Sequence, residues 1–117
     1  MKAFISPALE RSYFERASEE QMISYLVENQ MVYLPTERWL IAKGPRSVVE
    51  ELFRQQPLSI ENEGILLRVR DEKVIKSYIM HYPLSPVNES LMLELQREEL
   101  IQFYEETYGK LRNKEGS

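Results

Sequence analysis

The sequence predicts an α+β domain: a small antiparallel sheet of two hairpins, with helices packed on one face and a long C-terminal helix. Three observations point there. Residues 65–82 alternate apolar and polar side chains on either side of Asp71-Glu72-Lys73. Residues 31–42 set Tyr33, Trp39 and Ile41 around Pro35-Thr36-Glu37, where proline pre-sets φ for a turn. Apolar residues at helical spacing fill the stretches between and after these segments.

Lys2 to Ile5 reads as a short edge strand or an unpaired arm. Ser6-Pro7 then caps and opens a helix to Arg16, with Leu9, Tyr13 and Phe14 inward. Ser18-x-x-Gln21 is a capping box for a second helix, which carries Met22, Ile23, Leu26 and Val27 and ends at Asn29. The first hairpin follows, with strands 31–34 and 38–42. A rival reading makes Thr36 a cap and 38–43 a short helix stopped by Gly44. Pro45 opens a helix to about Gln56, with Val48, Val49, Leu52 and Phe53 on one face, and Pro57 stops it.

Leu58 to Gly64 reads as a polar loop. Ile65–Arg70 and Val74–Tyr82 form the second hairpin, with Ile65, Leu67 and Val69 on one face of its first strand. Pro83 to Pro86 is a rigid connector into one final helix reaching about Leu111, striped with Leu93, Leu100, Tyr104 and Leu111. Asn113–Ser117 is an expected disordered tail, and 1–112 an expected single domain. A faint hairpin-then-helix pattern occurs twice, at 31–56 and 65–111, without residue identity between the halves. The expected core is Leu26, Trp39, Leu52, Phe53, Leu67, Val69, Ile75, Ile79 and Leu100.

The chemical inventory is sparse: 117 residues with no Cys, one His (His81) and one Asp (Asp71). Cysteine, histidine and aspartate supply most tunable nucleophiles, proton shuttles and metal ligands. Their scarcity shifts the expectation from catalyst to binding module, with no cofactor and no metal. A net charge of −4 disfavours nucleic acid without excluding a local basic face. No apolar run reaches the roughly 20 residues of a membrane span, and no secretory signal is visible, so a cytoplasmic protein is expected.

Three constellations bear on function. His81 lies between Tyr78 and Tyr82 and, lacking a visible partner, reads as structural. Glu94 and Glu98, four apart on the final helix, could face a cation, but no histidine accompanies them, so they read as a solvated face. The basic set Arg68, Arg70, Lys73 and Lys76 is the expected partner-binding surface. Charge reversal of Arg68 and Arg70 together is expected to abolish binding and leave the fold intact. The width of the final helix's apolar stripe suggests a homodimer through Met92, Leu95, Phe103 and Tyr104. The expected function is a small regulatory or adaptor-like module with a protein partner. The alternative is a winged-helix DNA-binding regulator, with 65–82 as its wing and the final helix as its dimer contact.

Overall fold

The computed structural model describes residues 4, 6–29, 31–109 and 111. Among them the chain forms eight helices and no strand: α1 (Pro7–Arg16), α2 (Glu19–Asn29), α3 (Leu34–Lys43), α4 (Arg46–Gln55), α5 (Ile60–Val69), α6 (Glu72–His81), α7 (Pro86–Glu94) and α8 (Glu98–Tyr108). Odd-numbered helices pack in chain order, α1 on α3, α3 on α5 and α5 on α7. Even-numbered helices do the same, α2 on α4, α4 on α6 and α6 on α8. Four helix pairs therefore stack in two layers along one axis, giving a body of 46 × 21 × 21 Å. This is the plan of a short α-solenoid. None of the described helices is long and apolar enough to cross a membrane.

The α+β expectation is overturned, and both hairpins with it. The second hairpin is α5 and α6. Val74, Ile75, Tyr78 and Ile79 are buried at helical spacing, and the Asp71 carboxylate caps α6 by accepting from the Val74 N–H at 3.0 Å. Residues expected as a polar loop open α5, whose buried stripe is Asn62, Glu63, Leu66 and Leu67. The first hairpin is α3, with a buried stripe of Thr36, Glu37, Leu40 and Ile41. The rival helical reading of this segment is the correct one, except that the helix begins at Leu34 and Thr36 lies inside its first turn. In α3 and α5 half of the buried stripe is polar, so the remaining apolar residues imitate strand alternation. The expected single C-terminal helix is two helices, broken where Gln96 takes φ +56°. A winged helix is excluded for the same reason as the sheet, because the segment assigned to its wing is helical.

Other elements match in span, although Leu9, expected inward on α1, is 56% exposed, while Phe14 is buried. α1 spans Pro7–Arg16, and the capping box forms in both directions, Ser18 N–H to Gln21 Oε1 at 2.9 Å and Gln21 N–H to Ser18 Oγ at 3.2 Å. α4 buries the four expected residues. Of the expected core, Trp39 is half-buried and Val69 is 54% exposed, while the other seven are fully buried. Of residues 2–5 only Phe4 is described, and its ring packs on Tyr13 and Tyr25. The tail expected at 113–117 lies outside the described residues.

A polar ladder joins the pairs. Glu10, Glu37, Glu63 and Glu89, spaced 27, 26 and 26 residues apart, are each the fourth residue of an odd-numbered helix and each buried. Each of the first three accepts the backbone N–H at the start of the next pair: Tyr33 to Glu10 at 2.8 Å, Ser59 to Glu37 at 3.2 Å, Ser85 to Glu63 at 3.0 Å. Asn62 and Asn88 add side-chain donors to Glu37 and Glu63, both at 2.7 Å. From the even layer, Tyr25, Tyr78 and Tyr104 donate to Glu10, Glu63 and Glu89 at 2.6, 3.0 and 2.6 Å. The second pair has Leu52 at the tyrosine position, and Gln56 replaces it. Its amide donates to Glu37 at 2.5 Å and accepts the Val32 N–H at 3.1 Å, as the Tyr78 and Tyr104 hydroxyls accept the Leu58 and Leu84 N–H groups. Buried carboxylates are tolerated here because each is surrounded by donors.

One rung is incomplete. Thr36 occupies the position of Asn62 and Asn88, and its buried Oγ1 has no hydrogen-bond partner among the described residues. Thr36→Asn supplies the missing donor toward Glu10. It is expected to stabilise the protein by about 1 kcal/mol, read as a higher urea midpoint at unchanged slope. An unchanged or lower midpoint would show that Glu10 needs no third donor.

The tyrosines of the ladder also set a pH limit. Burial, with Glu63 and Glu10 adding to it, raises the pKa values of Tyr78 and Tyr25 well above the ordinary 10.0. The folded state holds these protons more tightly than the unfolded chain, so stability is complete below pH 10 and falls as pH rises beyond it. Denaturation midpoints are expected to drop steeply above that pH. Tyr78→Phe, though less stable at neutral pH, should show a shallower alkaline decline; an identical slope would contradict the assignment.

Candidate functional site

The two outer surfaces of the stack both carry charged residues, but the odd-numbered layer adds more large apolar ones. Burial of the ladder face turns the opposite side of each odd-numbered helix to solvent, and that side mixes apolar residues with exposed charges such as Arg11, Arg38, Lys43, Glu61 and Arg68. Leu34, Pro35 and Ala42 of α3, Ile60 and Val69 of α5, and Pro86 and Val87 of α7 are exposed, as is Leu95 just past α7. Leu34, Ile60 and Val87 are 60%, 59% and 59% exposed. The even-numbered layer presents Glu19, Glu20 and Glu28 from α2, Arg46 and Arg54 from α4, Lys73 from α6, and Glu98, Glu99 and Glu106 from α8. Its exposed Val27, Met80 and Tyr108 stand among these charges.

A groove of about 550 Å³ runs along the outer side of α3. α3 contributes Leu34, Pro35, Arg38, Trp39, Ala42 and Lys43, flanked by Arg11 of α1 and by Ser59, Glu61 and Asn62 at the start of α5. Trp39 is half-buried and supplies the largest aromatic surface in the groove. Arg38 pairs with Glu61 at 2.9 Å and donates from Nε to Asn62 at 3.3 Å, while Arg11 pairs with Glu15 at 3.4 Å. Lys43, in the last turn of α3, makes no ion pair among the described residues.

The expected partner-binding residues do not form one surface. Arg68 is exposed on the outer side of α5, whereas Lys73 and Lys76 belong to α6 in the other layer. Lys76 holds its ammonium 5.5 Å from the centre of the Phe103 ring. Arg70 is turned inward and caps α3, donating to the carbonyls of Leu40, Ile41 and Gly44 at 2.9, 2.7 and 2.6 Å. Arg97 repeats this for α5, donating to the Leu67 carbonyl at 2.8 Å. Both guanidiniums donate to carbonyls at a helix C-terminus, where backbone acceptors run short of helical partners; the Leu40 carbonyl also accepts the Gly44 N–H at 2.8 Å.

The expected dimer surface is not a surface either. Met92 and Tyr104 lie in the core, Phe103 is half-buried, and Leu95 is the exposed member. Glu94 ends α7 and Glu98 begins α8, so the helix break separates the two carboxylates. His81 is exposed at the end of α6, its ring 5.8 Å from that of Tyr82. Glu72 of α6 lies beside Glu99 of α8, and hydrogen bonding between the two carboxyls, with their like charge, raises the Glu72 pKa. Among the described residues no group of three or more metal-ligating side chains comes together.

The sequence reading missed the ladder and the groove. A signal for the ladder was present: Pro57-Leu58-Ser59-x-x-Asn62-Glu63 recurs as Pro83-Leu84-Ser85-x-x-Asn88-Glu89. Comparison of the chain with protein-family models, with curated proteins and with solved structures finds no match in any of the three.

Proposed function

We propose that this chain is a non-catalytic protein-interaction module, a small cytoplasmic adaptor that holds its partner on the outer face of the odd-numbered helices. The observation that carries this reading is the set of apolar side chains exposed along the odd-numbered layer. Leu34, Ile60, Val69 and Val87 expose apolar surface on α3, α5 and α7, flanked by exposed charges such as Arg38, Lys43, Glu61 and Arg68, while the even-numbered layer exposes fewer large apolar residues. Exposed apolar side chains cost solubility unless something covers them, and stacked helix pairs present an extended binding surface on which a partner can do so. The buried carboxylates favour the non-catalytic reading: Glu10, Glu37 and Glu63 each accept two or more hydrogen bonds within and between helix pairs. A protein partner suits the net charge of −4 better than nucleic acid does. A homodimer would not use Met92 and Tyr104, which are committed to the core.

Selection of random displayed peptides against the protein tests this. Binders are expected that retain no affinity for a Leu34→Asp/Ile60→Asp variant whose circular dichroism is unchanged. Binders indifferent to that variant, or no binders above background, would overturn the proposal.

A further inference from the structure

We infer that the groove along α3 takes an acidic peptide segment whose apolar side chain seats against Trp39. This rests on the interaction-module reading and adds the chemistry of the partner. The argument is one of charge complementarity. The chain as a whole carries −4, yet the groove is lined by three cations, Arg11, Arg38 and Lys43, and by one carboxylate, Glu61. Between these charges lie Leu34, Pro35, Trp39 and Ala42, an apolar floor for a side-chain anchor.

The cations are available to a ligand. Lys43 has no ion-pair partner among the described residues. The Arg38–Glu61 pair is exposed on both sides, 56% and 80% by side chain. Such a pair is weak in water, so a ligand carboxylate can replace Glu61 on the guanidinium at small cost. Asn62 Oδ1 still holds Arg38 Nε at 3.3 Å, which keeps the guanidinium at the groove edge. A phosphate backbone would be drawn to the same charges. However, tight nucleic-acid binding needs more phosphate contacts than three cations supply, and Glu19, Glu20, Glu98 and Glu99 elsewhere on the surface repel it.

Trp39 is the only tryptophan, so its fluorescence reports on the groove directly. The full-length protein is titrated with three probes: a pool of Asp/Glu-rich octapeptides with one fixed Phe or Leu, the matching Lys/Arg-rich pool, and a single-stranded oligonucleotide. The acidic pool is expected to shift Trp39 emission saturably and to weaken as salt is raised, with no response to the basic pool. Lys43→Glu, and Arg38→Glu with Lys43→Glu, should each lower apparent affinity, the double variant by about tenfold or more. Both residues are exposed, and Lys43→Glu disturbs no ion pair among the described residues, so a folded variant is assured by at least one of them. The inference is overturned if the acidic pool gives no response, if the basic pool or the oligonucleotide binds equally well, or if the charge reversals leave binding intact. Displayed peptides that require Leu34 and Ile60 but carry no acidic bias would sink this inference and leave the broader reading standing.

Discussion

Replacing Glu63 with leucine is expected to remove about 4 kcal/mol of folding free energy. Glu63 accepts from the Tyr78 hydroxyl at 3.0 Å, from the Ser85 N–H and hydroxyl at 3.0 and 2.9 Å, and from the Asn88 amide at 2.7 Å. Leucine matches the volume closely enough to avoid a large cavity, so the loss comes from donors stranded in the core. Each buried donor left without an acceptor costs about 1–3 kcal/mol, reduced where it can turn to another partner. Asn88 and the Ser85 hydroxyl can turn to each other, being 3.1 Å apart, and Asn88 also reaches the Ile60 carbonyl at 3.0 Å. The Ser85 N–H has no such alternative. Since whole domains are stable by about 5–15 kcal/mol, this variant should lie near its unfolding midpoint under mild conditions. Glu63→Gln keeps one acceptor oxygen and should cost about half as much. Glu61→Gln, two residues away and exposed, should change the urea midpoint by less than about 0.5 kcal/mol. A loss under 1 kcal/mol for Glu63→Leu would mean that apolar packing alone holds the third and fourth pairs together.

Arg70→Met is the second large effect, expected at about 2–3 kcal/mol. The methionine retains the apolar stem of the side chain and loses all three hydrogen bonds to the α3 carboxyl end. The Leu40 carbonyl keeps the Gly44 N–H, while those of Ile41 and Gly44 lose the guanidinium. The destabilisation should be visible as hydrogen exchange along residues 36–43 that outpaces exchange in α8. This result also changes how the basic set is probed. Paired reversal of Arg68 and Arg70 would loosen α3 and the groove it builds, so lost binding would say nothing about charge. Arg68→Glu alone is the clean variant, because Arg68 is exposed and no hydrogen bond of its side chain is recorded among the described residues.

The helices that were legible in the sequence are those whose inward face is apolar throughout. α4 buries Val48, Val49, Leu52 and Phe53, and its span and face follow directly from that spacing. α2 announces itself by its capping box. α3 and α5 were misread because Thr36, Glu37, Asn62 and Glu63 are core residues that look like surface residues. Removing them from the stripe leaves Leu40-Ile41 and Leu66-Leu67 in runs too short to distinguish period 2 from period 3.6. α6 needed no such excuse, for Val74, Ile75, Tyr78 and Ile79 are spaced as a helix; the neighbouring strand assignment prevailed over that spacing. The candidate surface was only partly legible, as Arg68 on the outer side of α5. Its other parts depend on which helices share a layer, and that is set by the ladder rather than by composition.

The ladder has one further consequence, for the length of the chain. The second and third junctions offer the same sockets: a carboxylate on one side, and a backbone N–H with a side-chain donor on the other. Excision of residues 59–84 would bring Ser85 and Asn88 against Glu37, where Ser59 and Asn62 now stand, and both sides of the new joint would match. A cut that is not a whole unit would leave a carboxylate facing the wrong residue. From Glu37 onward the molecule is thus written in units of twenty-six residues, and a single duplication or loss of one unit lengthens or shortens its outer face without redrawing the joint.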